Sequence, residues 1–479
     1  LNITNKHFIT LMSTLSIAII IVFVVGYLFI ALESVTKVNK AAVALLMFVV
    51  VWTLYMINPG YFVSLIHPQF MDVLSLQHPG LGSTVNPVMV FVTDIIQGHL
   101  GDTGTTLFFL MGAMTIVEVV DQNGGFDWVR RVMHTKSKRV LLWRIAFMTF
   151  ILSAILDNMT TSIVMIMILR KLVSQHKDRI LYAALVIISA NSGGAFSPIG
   201  DVTTIMLWNK GLITAAGVIS EILIPSLVSM VVPALIIQMA LKGNLDEDAT
   251  QAAAVALPEQ ELSDFQRKVV FWVGVGGLVF VPIFKSLTHL PPFMGILLVL
   301  SLLWIVTEVF YAHLKSDKGA RKKRVVSLIR NIDMSTILFF LGILMAVSCL
   351  EEIGALTSLG KGLNVAFDGN HFMVTGIIGV LSSIVDNVPL VAGCMGMYPV
   401  QAVGDFATDG VFWQLLAYCA GVGGSMLIIG SAAGVVVMGL EKITFGWYMK
   451  HVSWIAFVGY IAGILCYYVF REYIFTTPL

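Results

Sequence analysis

Ser153-Ala154-Ile155-Leu156-Asp157-Asn158-Met159-Thr160-Thr161 sets a carboxylate and an amide in the middle of an apolar run, and Ser382-Ser383-Ile384-Val385-Asp386-Asn387 repeats the pattern later in the chain. What these stretches mean depends on their surroundings. Of 479 residues, 57% are hydrophobic and only 12% charged, with a mean hydropathy of +0.90, far from the composition of soluble domains. The chain therefore reads as an all-α polytopic membrane protein, embedded in a lipid bilayer. An ionisable group inside a membrane segment costs roughly 2.5–3.5 kcal/mol or more, so Asp157 and Asp386 are read first as functional.

A net charge of +1, with basic residues confined to short loops between apolar spans, argues against a nucleic-acid partner. Cys349, Cys394, Cys419 and Cys466 lie in apolar segments without C-x-x-C spacing and read as packing residues. A chain beginning at Leu1 carries the expectation of a trimmed N-terminus. Its first apolar run, Phe8 to Ala31, is long enough to span and too long for a signal-peptide core.

Runs long enough to span lie near 8–31, 40–57, 104–120, 222–241, 268–284, 293–310, 334–353 and 447–470, and two more, 180–209 and 411–440, are interrupted by Gly-Gly pairs. No Lys or Arg occurs between Lys40 and Arg130, so the loop from Asn58 to Thr103 is expected to face away from the cytoplasm, with Val88 to Leu100 lying along the interface. The segment from Arg139 to Lys171 has basic residues on both flanks, Arg130, Arg131, Lys136 and Lys138 before it and Lys177 and Arg179 after it. As one helix its roughly 33 residues would reach about 50 Å, too long for a hydrocarbon core of about 30 Å. The pattern predicts a re-entrant hairpin (139–172) from the cytoplasm with Asp157-Asn158 at its tip. His371 to Gln401 has the same two-arm form, with Pro389 just past Asp386-Asn387. Gly362 to Glu441 lacks Lys and Arg, and Arg321-Lys322-Lys323-Arg324 marks the loop before the preceding span as cytoplasmic, so this second hairpin is expected to enter from outside.

The two hairpins belong to an internal repeat. Leu107-Phe108-Phe109-Leu110 recurs as Leu338-Phe339-Phe340-Leu341, Asp157-Asn158 as Asp386-Asn387, Gly193-Gly194 as Gly423-Gly424 and Gly200 as Gly430, all at offsets of 229 to 231. The expected architecture is two inverted repeats, 1–241 and 268–479, each with five transmembrane spans, one re-entrant hairpin and a broken helix (180–209 and 411–440), joined by an acidic cytoplasmic linker, 242–267, carrying Asp246, Glu247, Asp248, Glu259 and Glu261.

Ser189-Ala190-Asn191-Ser192-Gly193-Gly194-Ala195-Phe196-Ser197-Pro198 and Gly421-Val422-Gly423-Gly424-Ser425 break their helices, and irregular backbone at that depth is tolerated only where it lines a cavity. Two tips and two breaks meeting at the midplane form the expected ion or substrate site of a secondary transporter. Its carboxylate, amide and hydroxyl oxygens suit a hard cation such as Na+. A proton competing for the same carboxylate couples the two fluxes. The candidate residues are Asp157, Asn158, Thr160, Asn191, Gly193, Gly194, Asp201, Thr204, Ser382, Asp386, Asn387, Gly423, Gly424 and Ser425. Plainer roles stand beside these. Asp157 and Asp386 would serve as turn caps, and Asp201, whose counterpart is Ser431, would cap the helix resuming after Gly200. Glu118, Glu351 and Glu352 sit near span ends, where a carboxylate is ordinary. His67, His78 and His99 read as solvated loop histidines or pH sensors, and Met165-Ile166-Met167 as packing.

Leu156 to Thr161 and the segment Asn191 to Thr204 resemble the signature of NhaD-type sodium/proton antiporters, as does Thr106 to Gly125 with Glu118. The likeness covers almost the whole chain, with Ser192 and Phe196 standing where Ala and Trp are frequent. The resemblance implies exchange of Na+ or Li+ for H+ in pH homeostasis, no cofactor, a homodimer with a scaffold and a mobile part, and an elevator-like movement. By position it assigns the ion site to Asp157, Asn158, Thr160, Asp386, Asn387 and the Gly-Gly breaks, and a bacterial inner membrane is the expected location. A dicarboxylate or oxyanion transporter of the same architecture is the nearest rival. Its tips tend to carry neutral groups, whereas two aspartates repel an anion. An intramembrane aspartyl protease also needs two aspartates, but no Gly-x-Gly-Asp context surrounds Asp386. A passive channel has less use for a protonatable site at a broken midplane.

Overall fold

The computed structural model describes residues 14–31, 33–79, 86–133, 135–241, 243–245, 262–312, 324–384 and 387–473. Asp386, the acidic linker residues, Arg321 to Lys323 and the start of the first run, 8–13, lie outside the described residues. The helices used below are, in chain order, α1 (Thr14–Ala31), α2 (Lys40–Tyr55), α3 (Pro59–Ile66), α4 (Pro87–Gln122), α5 (Lys138–Ile155), α6 (Asn158–Leu172), α7 (His176–Ala195), α8 (Val202–Asn209), α9 (Ala215–Ala240), α10 (Asp264–Thr288), α11 (Pro292–Ala312), α12 (Met334–Glu352), α13 (His371–Ser382), α14 (Asn387–Met397), α15 (Val411–Gly423), α16 (Ala432–Glu441), α17 (Phe445–His451) and α18 (Ser453–Tyr473). The architecture is all-α, as the composition demands.

Among the described residues six helices, α4, α9, α10, α11, α12 and α18, are long and apolar enough to cross a bilayer, and a seventh span results if α2 and α3, bent by 87° at their junction, count as one. Pro59, which has no N–H to give, starts α3 and accounts for that bend. Large apolar side chains such as Trp272, Leu287 and Ile305 point outward from α10 and α11, as lipid-facing helices require. Met165 is fully buried while Met167 is exposed, so only the first of that pair packs inside the protein.

Two expectations change. The interfacial helix at Val88 to Leu100 and the span at 104–120 are one continuous helix, α4, of 36 residues. Single glycines cost only about 1 kcal/mol each within a helix, too little to break such a run, and Gly98, Gly101 and Gly104 pass through it with open space around them. The run at 447–470 is instead divided at Val452 into α17 and α18.

Two compact units are present. The first comprises Leu1–Leu107, Asp333–Gly369 and Ala392–Pro399, the second Phe108–Ile332, Asn370–Val391 and Val400–Leu479. Each draws on both halves of the sequence. In the first, α2 packs on α12, where Trp52 Nε1 donates to the Met345 carbonyl at 2.8 Å and Gly342 lets the backbone of Ala44 and Leu45 approach.

In the second unit, α5 and α6 are separated only by Leu156 and Asp157. Both outer ends of the pair lie by the start of α7: Tyr182 Oη donates to the Lys138 carbonyl at 2.7 Å, Lys138 pairs with Asp178 at 2.6 Å, and α6 ends at Leu172, just before His176. The chain therefore runs out along α5 and returns along α6. At the second pair, α13 begins at His371, bonded to Asp405 at 2.8 Å, in the loop that follows α14. α13 and α14 have 12 and 11 residues, about 16–18 Å long and too short to span.

The packing of these segments repeats at the offset seen in the sequence. Ser153 Oγ donates to the Ala190 carbonyl at 2.6 Å, and Ser382 Oγ to the Ala420 carbonyl at 2.8 Å. At Gly193 a Cβ would overlap the Phe150 carbonyl, and at Gly423 the Gly379 carbonyl. Those two glycines are contact points where the broken helix rides directly on hairpin backbone.

Candidate ion-binding site

The site lies in the second unit and is built by helix termini. The break after α7 frees the chain at Phe196 to Asp201, and α8 resumes with Asp201 as its N-cap, Oδ1 accepting from Thr203 N at 3.2 Å. Asp201 is 2% exposed. Its other oxygen, Oδ2, receives the side-chain amides of Asn158 at 3.2 Å and Asn387 at 3.4 Å, which are the first residues of α6 and α14. The expected cap is thus present, and the second oxygen of the same side chain is the meeting point of both amides.

Asn191, fully buried four residues before the end of α7, joins the two breaks. Its Oδ1 accepts from Asn158 Nδ2 at 3.2 Å, and its Nδ2 donates to Ser425 Oγ and Ser431 Oγ, each at 2.9 Å. Gly421, at the position equivalent to Asn191, has no side chain, and a Cβ there would stand 3.6 Å from Asp201 Oδ2. One half contributes the amide and the other the space that the carboxylate occupies. The cluster is thus one carboxylate, three amides and two hydroxyls, all buried.

The remaining candidates are nearby in sequence but bonded elsewhere. Asp157 caps α6: Oδ1 accepts from Thr160 N at 2.7 Å and Oδ2 from Thr160 Oγ1 at 2.5 Å. Thr204 Oγ1 donates to the Asp201 carbonyl at 3.0 Å and the Gly194 carbonyl at 3.4 Å, which ties down the break. Ser382 braces α13 against α15, and the glycines 193, 194, 423 and 424 act through backbone contact. Ser431 was noted in the sequence only as a counterpart, although its N-cap position at 431, matching Asp201, was a sufficient signal.

A second polar centre, in the first unit, joins residues that are far apart in the sequence. Glu352, at the end of α12, is 6% exposed and bonds His67 Nε2 at 2.8 Å and His99 Nε2 at 2.9 Å. His78 pairs separately with Asp94 at 2.8 Å. The bond to Glu352 raises the His67 pKa above that of a free imidazole.

A family model described as citrate transporter matches residues 27–415. Sodium/proton antiporter 1 of Arabidopsis thaliana is 42% identical, over 96% of this chain and 74% of that protein. The Na(+)/H(+) antiporter NhaD of Vibrio cholerae is 27% identical, over 97% of this chain and 94% of that protein. Among solved structures, the YdaH transporter of Alcanivorax borkumensis superposes with a TM-score of 0.54 at 14% identity, covering 90% of this chain and 98% of that one. At that identity the likeness concerns the fold alone.

Proposed function

The chain belongs to the NhaD-type sodium/proton antiporters of the citrate transporter family, and on that premise we propose that it exchanges Na+ for H+ at the cluster around Asp201. As a member of that family it is an integral membrane transporter and not an enzyme. The observation that carries the reading is the convergence of amides from both hairpin helices, Asn158 and Asn387, on a single buried carboxylate oxygen. Without Na+ the carboxylate is held by these donors or by a proton. With Na+ bound, the amides turn their oxygens inward and join Asp201 Oδ2 and the hydroxyls of Ser425 and Ser431 as hard ligands. The two occupants compete for one negative charge, so entry of one expels the other.

In this proposal Asp157 supplies further carboxylate charge beside the seat, with Thr160 steadying it, and Asp386, its counterpart in the sequence, is assigned the same role. The Gly-Gly breaks supply backbone carbonyls. The hairpins are re-entrant from opposite faces, the two halves form an inverted repeat with a cytoplasmic linker, and the chain acts as a homodimer. Li+ is carried as a substitute for Na+. The location is a bacterial cytoplasmic membrane, although the relatives include plant as well as bacterial proteins.

The family description also names citrate. A dicarboxylate or oxyanion would have to approach the buried Asp201 charge, and repulsion there favours the cation. Everted vesicles carrying the protein test both readings. Na+ or Li+ is expected to collapse a preset proton gradient, whereas uptake of citrate or succinate with no response to either cation would replace the antiporter reading.

A further inference from the structure

We infer that Tyr448 is a positioning residue of the second helix break, holding the Ser425 carbonyl in the orientation the cation requires. The inference rests on the exchange reading above. Tyr448 lies on α17, is fully buried, and its hydroxyl donates to the Ser425 carbonyl at 2.8 Å. Ser425 is the first residue past the Gly423-Gly424 break, and its own Oγ accepts from Asn191. The peptide that carries this site hydroxyl is therefore pinned from behind by a side chain that does not itself join the cluster.

The two halves differ here in a way that explains why Tyr448 is needed. At the first break, Ser197 Oγ donates to the Ala154 carbonyl and Thr204 Oγ1 to the Gly194 carbonyl, so hydroxyls of the break itself tie it to the hairpin and to its own end. The equivalents at the second break are Leu427 and Gly434, which have no hydroxyl to donate. A Cβ at 434 would overlap the Ile428 carbonyl, so a threonine in that place has no room. Tyr448 reaches in from α17 and gives the second break a donor from outside it, to the Ser425 carbonyl one residue past Gly424. Its own equivalent in the first half is Val218, which cannot make the bond and has no need to. A carbonyl has two lone pairs. With one occupied by Tyr448, the peptide plane is fixed, and with it the direction in which Ser425 Oγ faces Asn191.

The test is Tyr448→Phe, which keeps the ring and removes only the hydroxyl, beside Tyr182→Phe, which deletes a part-buried hydroxyl-to-carbonyl bond at the far end of α5. Sodium-dependent exchange is measured in everted vesicles as a function of Na+ concentration. Without this bond the Ser425 peptide has to be ordered when the cation binds, and the KM for Na+ is expected to rise roughly three- to tenfold, with the maximal rate kept and with Tyr182→Phe at the wild-type KM. An unchanged KM in Tyr448→Phe overturns the inference. So does an equal KM rise in both variants, or loss of Tyr448→Phe from the membrane while Tyr182→Phe is retained, since each makes Tyr448 merely structural. If wild-type vesicles show no response to Na+, it is the exchange reading that fails, and that result is seen before any variant is compared.

Discussion

Asn191 donates its side-chain amide to Ser425 Oγ, 2.9 Å away in space and 234 positions away in sequence. The bond closes the cluster across the two halves, and the same amide serves Ser431. Asn191→Ala would leave two buried hydroxyls and the Asn158 amide without this partner, at about 1–3 kcal/mol each. Na+-driven collapse of the proton gradient is expected to fall at least about tenfold, with Asn191→Gln recovering little because the longer arm misplaces both donors. Activity within twofold of wild type in Asn191→Ala would remove Asn191 from the site.

Among the described residues, Asp201 is the carboxylate on which both hairpin helices converge. Asp201→Asn keeps an acceptor for Thr203 and therefore keeps α8 capped, but it removes the charge that Na+ and H+ share. Exchange is expected to drop about a hundredfold or more while the thermal midpoint stays within a few degrees, read by gradient collapse and by thermal unfolding in detergent. Exchange at the wild-type level in Asp201→Asn would instead mark Asp201 as a cap only.

Much of this was visible in the sequence, and the parts that were not share a cause. Asp157-Asn158 and the Gly-Gly breaks stood out because polar residues and paired glycines are anomalous in apolar runs, and the recurrence near 230 made them a set. Asp201 reads from the sequence as either an ion ligand or a helix cap, because only its cap function is local, whereas its bonds to Asn158 and Asn387 span 43 and 186 positions. Glu352 looked like an ordinary interfacial carboxylate for the same reason, since its histidines lie 285 and 253 positions away. One signal was available: from Ala41 to Val129 there is no Lys or Arg, so a carboxylate packed against that stretch finds only histidine as a cation.

That pairing has a pH consequence. The hydrogen bond that His67 donates to Glu352 holds this residue, just beyond the end of α3, above its ordinary pKa, and the nearby Glu351 adds to this, against burial that pulls it down. A group whose pKa rises on folding contributes stability that is complete below its unfolded pKa of about 6.5 and is lost as pH climbs through the raised folded value. The thermal midpoint of the wild type is expected to decline from about pH 6.5 upward by more than that of His67→Gln. Parallel curves would show that His67 is not protonated in the fold.

Glu441, at the C-terminus of α16, is fully buried and takes Arg170 Nε at 2.8 Å and Arg179 Nε at 2.7 Å, while His176 bonds its carbonyl. These contacts fasten the end of the first hairpin to the second broken helix. Arg179→Ala removes the more buried of the two arginines, and breaking a buried pair from one side costs about 3 kcal/mol. A fall in thermal midpoint is expected, with the KM for Na+ unchanged in the protein that remains folded. A KM shift without a stability loss would move this cluster from scaffold to site.

Asp157 separates a cap from a ligand most cleanly. Both of its oxygens are engaged by Thr160, so the bond pattern alone is that of an N-cap, and Asn caps a helix about as well as Asp. If capping were its whole role, Asp157→Asn would be silent in stability and in transport. The proposal requires the charge, because a half-buried carboxylate one residue from Asn158 adds to the field that draws Na+ toward Asp201. Asp157→Asn is therefore expected to retain the wild-type thermal midpoint and to lose exchange. Asp157→Ala is expected to lose exchange and about 1 kcal/mol of stability as well, through the missing cap. Wild-type exchange in Asp157→Asn would return Asp157 to the turn and leave Asp201 as the carboxylate of the first half.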